Sequence, residues 1–290
     1  MPETPHVIIE PGSMQWTFVR GALSETAARF VDLVRSVQNS RARAIGTWDI
    51  ADTAAHVLLV ARLNSLFTIG GEPDDDLVPV VAEAATVDFT TVSNMNQHGR
   101  AIIDMDDVQV LARRIEGQLQ RLLDDSYQLR GSDTITWLGG LPLSRSAVLA
   151  HMVSELLLHG FDIARAEGRT FELPATAARQ YFELFLVQVI RHGYDSGFLP
   201  DLGEADSGPP VSWELRLRGS RPLAFAYDHG RVRIKPVGPV DVHISADPGA
   251  MLLMMYNRVK PLGPAIRGQV VPWGRRPWKL KRLMEVMQLP

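Results

Sequence analysis

Leu141-Pro-Leu-Ser-Arg-Ser-Ala-Val-Leu-Ala-His151-Met-Val-Ser-Glu155-Leu-Leu-Leu-His159-Gly-Phe-Asp162-Ile-Ala-Arg-Ala166 reads, after Ser144, as one long apolar helix. Its interior carries His151, Glu155 and His159, and steps of four residues put all three on one helical face. A carboxylate among Val153, Leu156, Leu157 and Leu158 is costly to bury unless something pairs with it. A divalent metal is the partner that best suits Glu and His one turn apart. The competing reading is a surface Glu–His hydrogen bond beside an ordinary core histidine.

A second histidine in a similar setting favours the metal. His56 lies inside Ala54-Ala-His-Val-Leu-Leu-Val-Ala61, a segment apolar on every other side, as expected of a helix buried in a bundle. If the two helices are neighbours, His56, Glu155 and His159 meet in the core, where bundles commonly build metal sites. Two imidazoles and a carboxylate suit zinc with an open position. The same set also serves non-haem iron, so ligand type alone leaves the metal open.

Outward from these two helices, the chain divides by pattern. Residues 1–20 are expected to be an irregular lead-in with Pro-Gly at 11–12. Leu23, Ala27, Phe30, Val31, Val34 and Val37 then predict an amphipathic helix from Gly21 to Val37. Thr47 is the expected N-cap of the His56 helix, which runs to Thr68. Two further helices are expected over 79–100 and 105–127, and the connector Gly131–Pro142 holds Trp137 and Gly139-Gly140. Gly168 closes the Glu155 helix, and Pro174 opens another through Tyr194. The acidic run at 72–76 is a solvated loop by composition.

Near residue 200 the character changes. The 201–210 stretch is linker-like, and Val211-Ser-Trp-Glu-Leu-Arg-Leu-Arg218 alternates with the period of a half-buried strand. Strands are expected over 222–227, 231–236 and 240–244, with Asp228-His-Gly230 as a hairpin turn. A helix from Asp247 or Pro248 to Met255 and another over 280–287 complete the chain. The expected architecture is α+β in two domains. Residues 1–200 form an up-and-down helical bundle with the metal site, and 201–290 a small α+β domain with an antiparallel sheet.

The totals bound the function. Among 290 residues, hydrophobic content of 46% and charge of 22% are globular values, and a net charge of −3 gives no reason to expect nucleic acid or an anionic membrane as partner. No uninterrupted apolar run looks long enough for a membrane span, and residues 1–6 lack a secretory pattern, so a cytoplasmic location is expected. Cysteine is absent, which removes disulfides, thiolate metal ligands and any cysteine nucleophile. Thiol chemistry here needs a thiol from outside.

The stretch Thr47-Trp-Asp-Ile-Ala-Asp-Thr-Ala-Ala-His56 resembles the helix-two signature of the DinB/YfiT-like metalloprotein superfamily. Leu143 through Ala166, with its Glu-x-x-x-His-Gly-x-Asp core, resembles the mycothiol-dependent maleylpyruvate isomerase branch, and residues 211–287 are similar to its sterol-carrier-like C-terminal domain. The resemblance implies that His56, Glu155 and His159 hold a catalytic divalent metal, usually zinc. It further implies that the metal activates mycothiol, the low-molecular-weight thiol of actinobacteria, for attack on a small electrophile in an isomerase or S-transferase reaction. Asp162 would orient an imidazole from behind, and His151, a full turn before Glu155, would sit behind the ligands or at the rim.

Arg258, Lys260, Arg267, Arg275 and Arg276 are cations that an anionic substrate could use, though each also reads as a surface charge, and no substrate-binding residue is assigned. Trp273-Gly-Arg-Arg-Pro-Trp278 reads as a cleft rim or a structural turn. Two other functions fit the same residues: a metal-dependent hydrolase using metal-bound water, and a non-catalytic small-ligand-binding protein. The expected state is a monomer or homodimer.

Overall fold

The computed structural model describes residues 13–103, 105–201, 203 and 208–286. Helix α1 (Ser13–Arg35) starts well before Gly21, because Trp16 and Val19 extend the buried stripe of Leu23, Phe30 and Val34 by two turns. The Pro-Gly at 11–12 and half of the 201–210 stretch lie outside the described residues.

A short hairpin, β1 (Arg43–Ile45) with β2 (Trp48–Asp49), leads into α2 (Ile50–Ile69). The N-cap of α2 is Asp49, not Thr47. Asp49 accepts from the Asp52 amide, and the Asp52 carboxylate accepts from the Asp49 amide, a reciprocal cap that leaves Thr47 in the hairpin turn.

The single helix expected over 79–100 is two, α3 (Val78–Ala84) and α4 (Val92–Ile102). Between them, the Asp88 carboxylate accepts from the Thr90 and Thr91 amides and competes with helix continuation. Helix α5 (Val108–Asp125) follows, capped by Asp107. The expected connector then folds into a hairpin of β3 (Thr134–Thr136) and β4 (Pro142–Ser144). Ser144 caps α6 (Arg145–Ala166) by accepting from the Ala147 amide, and α7 (Ala175–Gln180), a π-helical turn (Tyr181–Leu186) and α8 (Val187–His192) follow.

Helices α1, α2, α5 and α6 form the bundle. α1 packs chiefly on α5 and α6, and so does α2, which places the consecutive helices α1 and α2 across a diagonal. This differs from the expected up-and-down order of neighbours. The connectors 36–49 and 126–144 are long enough to cross the bundle ends. By length and mean hydropathy α2 and α6 each qualify as membrane spans, although charged residues interrupt the apolar run in both. Yet 83% of the apolar window of each is buried inside the protein. They pack against each other, and this is what lets their polar side chains meet.

The remainder is a five-stranded sheet. β5 (Val211–Leu217), β6 (Leu223–Asp228) and β7 (Arg231–Lys235) form a meander, followed by β8 (Val242–Ala246), α9 (Pro248–Met255), α10 (Leu262–Ile266), β9 (Val270–Trp273) and α11 (Leu280–Val286). At the β6–β7 turn His229 and Gly230 have φ of 47° and 78°, as a two-residue hairpin requires.

Strand order is β7-β6-β5-β8-β9, and β8 runs parallel to β5, so the sheet is mixed where an antiparallel one was expected. Register explains how so short a connector makes the crossover. Lys235 ends β7 at the level of Glu214, and Val242 starts β8 beside Trp213, so residues 236–241 need only travel sideways. Trp213, Leu215, Phe225 and Tyr227 form a buried face of the sheet. The helical part meets the sheet-bearing part where α7 packs on α9 and α8 on β7, and Tyr194 Oη accepts from the Val232 amide at 2.7 Å.

Candidate metal centre

Helices α2 and α6 bring three imidazoles around one carboxylate. His56 Nε2 and His159 Nε2 each lie 3.4 Å from Glu155 Oε2, and His151 Nε2 lies 3.3 Å from Glu155 Oε1. All four side chains are nearly excluded from solvent. The His56 and His159 rings meet edge to face at 5.0 Å, and Trp48 covers His56 at the same centroid distance.

The spacing tests whether these residues fit a metal. Two contacts of 3.4 Å are long for N–H···O hydrogen bonds, whose usual length is about 2.9–3.0 Å. They match the edge of a tetrahedron, about 3.4 Å, drawn by donors roughly 2.0–2.1 Å from a shared zinc-sized ion. The donor atoms of His56, Glu155 and His159 all lie within 4.8 Å of one another. His56 Nδ1 is buried and lacks a protein hydrogen-bond partner among the described residues. The set therefore fits a divalent ion in both donor type and spacing.

Charge follows burial and contact. Burial opposes ionisation of Glu155, but the three facing imidazoles outweigh it and hold the carboxyl well below the usual range. Burial pushes His56 down, towards the neutral imidazole that a metal ligand needs. Burial acts on His159 in the same sense, but Asp162 and Glu155 on either side raise it on balance.

Asp162 is fully buried, and its Oδ2 lies 3.3 Å from His159 Nδ1. That oxygen also receives Arg258, whose Nη2 is 3.1 Å away and Nε 3.3 Å. Among the cations considered from sequence, Arg258 is thus committed to the imidazole's carboxylate. Arg276 pairs with Asp241 at 2.9 Å, which ties the Trp273–Trp278 segment to the start of β8.

Of the two positions expected for His151, the one behind the ligands is where it lies, against the outer oxygen of Glu155. Trp137 Nε1 can only donate, and it donates to Asn64 Oδ1 at 3.2 Å, which turns the Asn64 amide nitrogen towards His151 Nδ1, also at 3.2 Å. His151 Nδ1 is then an acceptor, so its proton sits on Nε2 and faces Glu155 Oε1. The relay fixes one oxygen of Glu155 and leaves the other to His56 and His159. The sequence carried one signal for it. Asn64 follows His56 on α2 by two turns and a fraction, and so lies on the same face.

Trp137 is held by the 137–141 turn, where Gly139 has φ +62°. A Cβ there would collide with the Val87 carbonyl oxygen and come within 2.9 Å of Phe198. Gly139→Ala is expected to destabilise the fold by about 1–3 kcal/mol, read as a lowered urea midpoint at unchanged slope.

The centre opens on a cavity of about 660 Å³ running between the bundle and the sheet. His56, His151 and Glu155 line it, as do Tyr181 and Phe185 from the π-helical turn and Trp213 and Tyr256 from the sheet-bearing part.

Neither a family model nor a curated protein matches the sequence. Among solved structures, the chain is similar to a histidine-to-alanine variant of the mycothiol-dependent maleylpyruvate isomerase, with a TM-score of 0.50 and 12% identity over 88% of this chain and 91% of that one. A second structure of the isomerase matches at a TM-score of 0.48 and 13% identity over the same shares. At 12% identity, what the chain has in common with the first of these is the fold: mixed helix and sheet, matched along most of both chains.

Proposed function

We propose that this chain is a metal-dependent, mycothiol-using enzyme, an isomerase or S-transferase acting on a small electrophile. His56, Glu155 and His159 hold the metal, which we take to be zinc, and Asp162 orients His159. The observation that carries the reading is the convergence of two imidazole nitrogens on Glu155 Oε2 in a cysteine-free chain. Its fold, shared with a mycothiol-dependent isomerase, supports the choice of thiol. We take the helical part to about residue 200 and the sheet-bearing part beyond it as the two domains, and the cytoplasm as the place of action.

A divalent ion held there would lower the pKa of a bound thiol, supplying a thiolate at neutral pH. The chain's own residues do the rest. Glu155 contributes the negative charge that balances the cation, and His151 keeps its outer oxygen in place. Asp162, backed by Arg258, holds the Nδ1 side of His159 so that Nε2 faces Glu155. The apolar cavity walls exclude water that would compete with an incoming sulfur.

The test is turnover of model electrophiles by purified, metal-analysed protein with and without added thiol. Consumption that requires both the metal and mycothiol is expected. Equal turnover without any thiol would replace this reading with the hydrolase, and tight ligand uptake without turnover would replace it with the binding protein.

A further inference from the structure

The walls of the cavity carry information about what enters it, and they are mostly carbon. Phe67 and Phe89 come from the bundle side, Phe185 and Ile190 from the π-helical turn and α8, and Trp213 and Phe225 from the sheet. At about 660 Å³ the space lies within the roughly 300–1,000 Å³ typical of sites that enclose a drug-sized ligand.

Charge is scarce there. Apart from the imidazoles, Arg282 is the one basic side chain among the described lining residues, and its guanidinium lies 5.1 Å from the Tyr227 ring. Arg258, which approaches the centre from the sheet-bearing part, is bound to Asp162. A short dicarboxylate would bring two charges into this lining and leave apolar wall uncovered, both unfavourable. The polar groups available are of another kind. Tyr256 donates to Tyr181 at 3.1 Å, and burial keeps both phenols protonated, so the pair suits one carbonyl oxygen.

We infer that the small-molecule substrate of this centre is a largely apolar molecule, drug-sized, with at most one negative charge, and not a short dicarboxylate. This rests on the proposed function for the word substrate, but the binding claim stands on the cavity alone.

The experiment is equilibrium binding of the neutral fluorophore N-phenyl-1-naphthylamine to the full-length protein, before and after removal of metal by a chelator. Saturable uptake is expected in both states. A neutral aromatic enone should displace the fluorophore, and maleate at a hundredfold excess should not. Ile190→Asp and Val92→Asp, both half-buried wall positions, should each weaken uptake at least about tenfold, with far-UV circular dichroism reporting the fold.

Displacement by maleate but not by the enone overturns the inference. So does unchanged uptake in both variants with the fold intact, since the fluorophore is then elsewhere. A protein that takes up the fluorophore as described but holds no metal and needs no thiol sinks the function and keeps this inference. A metal- and thiol-dependent enzyme displaced only by dicarboxylates does the reverse.

Discussion

Glu155→Ala, equilibrated with zinc and then desalted, is expected to retain less than about a tenth of the one ion per chain expected of the wild type. The reason is the position of its Oε2, 3.4 Å from both His56 Nε2 and His159 Nε2 and, among the described residues, the one anionic oxygen between the two. Without it, two imidazoles must hold a dication in a buried site without charge compensation. His151→Ala provides the contrast. His151 touches Oε1 alone, so its loss frees the carboxylate to rotate and removes no donor of the central set. Loss of an orienting partner of this kind costs about 10–100-fold in metal affinity, whereas loss of Glu155 should cost more than the upper end of that range. Elemental analysis gives the stoichiometry, and competition with a chromophoric chelator gives the affinity. A Glu155→Ala protein with full metal content and unchanged affinity would place the ion elsewhere.

Much of this centre can be read from the chain because helices impose local order. Steps of four residues in α6 put His151, Glu155 and His159 on one face, and the surrounding leucines make that face an interior one. The buried setting of His56 was equally plain, since the segment 54–61 around it is otherwise apolar. That the two faces meet follows from the packing of α2 on α6, which no spacing within either helix discloses.

The same limit explains what the sequence did not yield. Arg258 reaches Asp162 across 96 positions, and nothing in either neighbourhood points to the other. Alternation identified β5, and 240–244 read as a further short strand, but neither pattern says anything of direction, so the parallel pair went unread. The break between α3 and α4 turns on one side chain: Asp88 bonds to the Thr90 and Thr91 amides in a stretch whose periodicity continues across it.

Arg258→Met should lower stability by about 3–5 kcal/mol, on the order of a 10 °C fall in the thermal midpoint. Asp162 is 0% exposed, and contact with His159 opposes, together with Arg258, the burial that would otherwise protonate it. Removing the guanidinium leaves a buried carboxylate with only the imidazole and a 3.6 Å contact to Arg165. It also cuts a tie between α6 and the segment after α9. Adding Asp162→Asn removes the stranded charge, so the double variant is expected to regain most of the lost stability, as neutral replacements of buried pairs commonly do.

Metal affinity should not follow that recovery. An amide oxygen is a weaker acceptor than a carboxylate, so His159 remains poorly oriented and affinity stays about tenfold or more below wild type. Recovery of stability together with weak metal binding is the pattern of a carboxylate that orients an imidazole. If affinity returned along with stability, the Asp162–Arg258 pair would be a structural tie alone. Additive losses in the double variant would mean that the two side chains do not act as a pair.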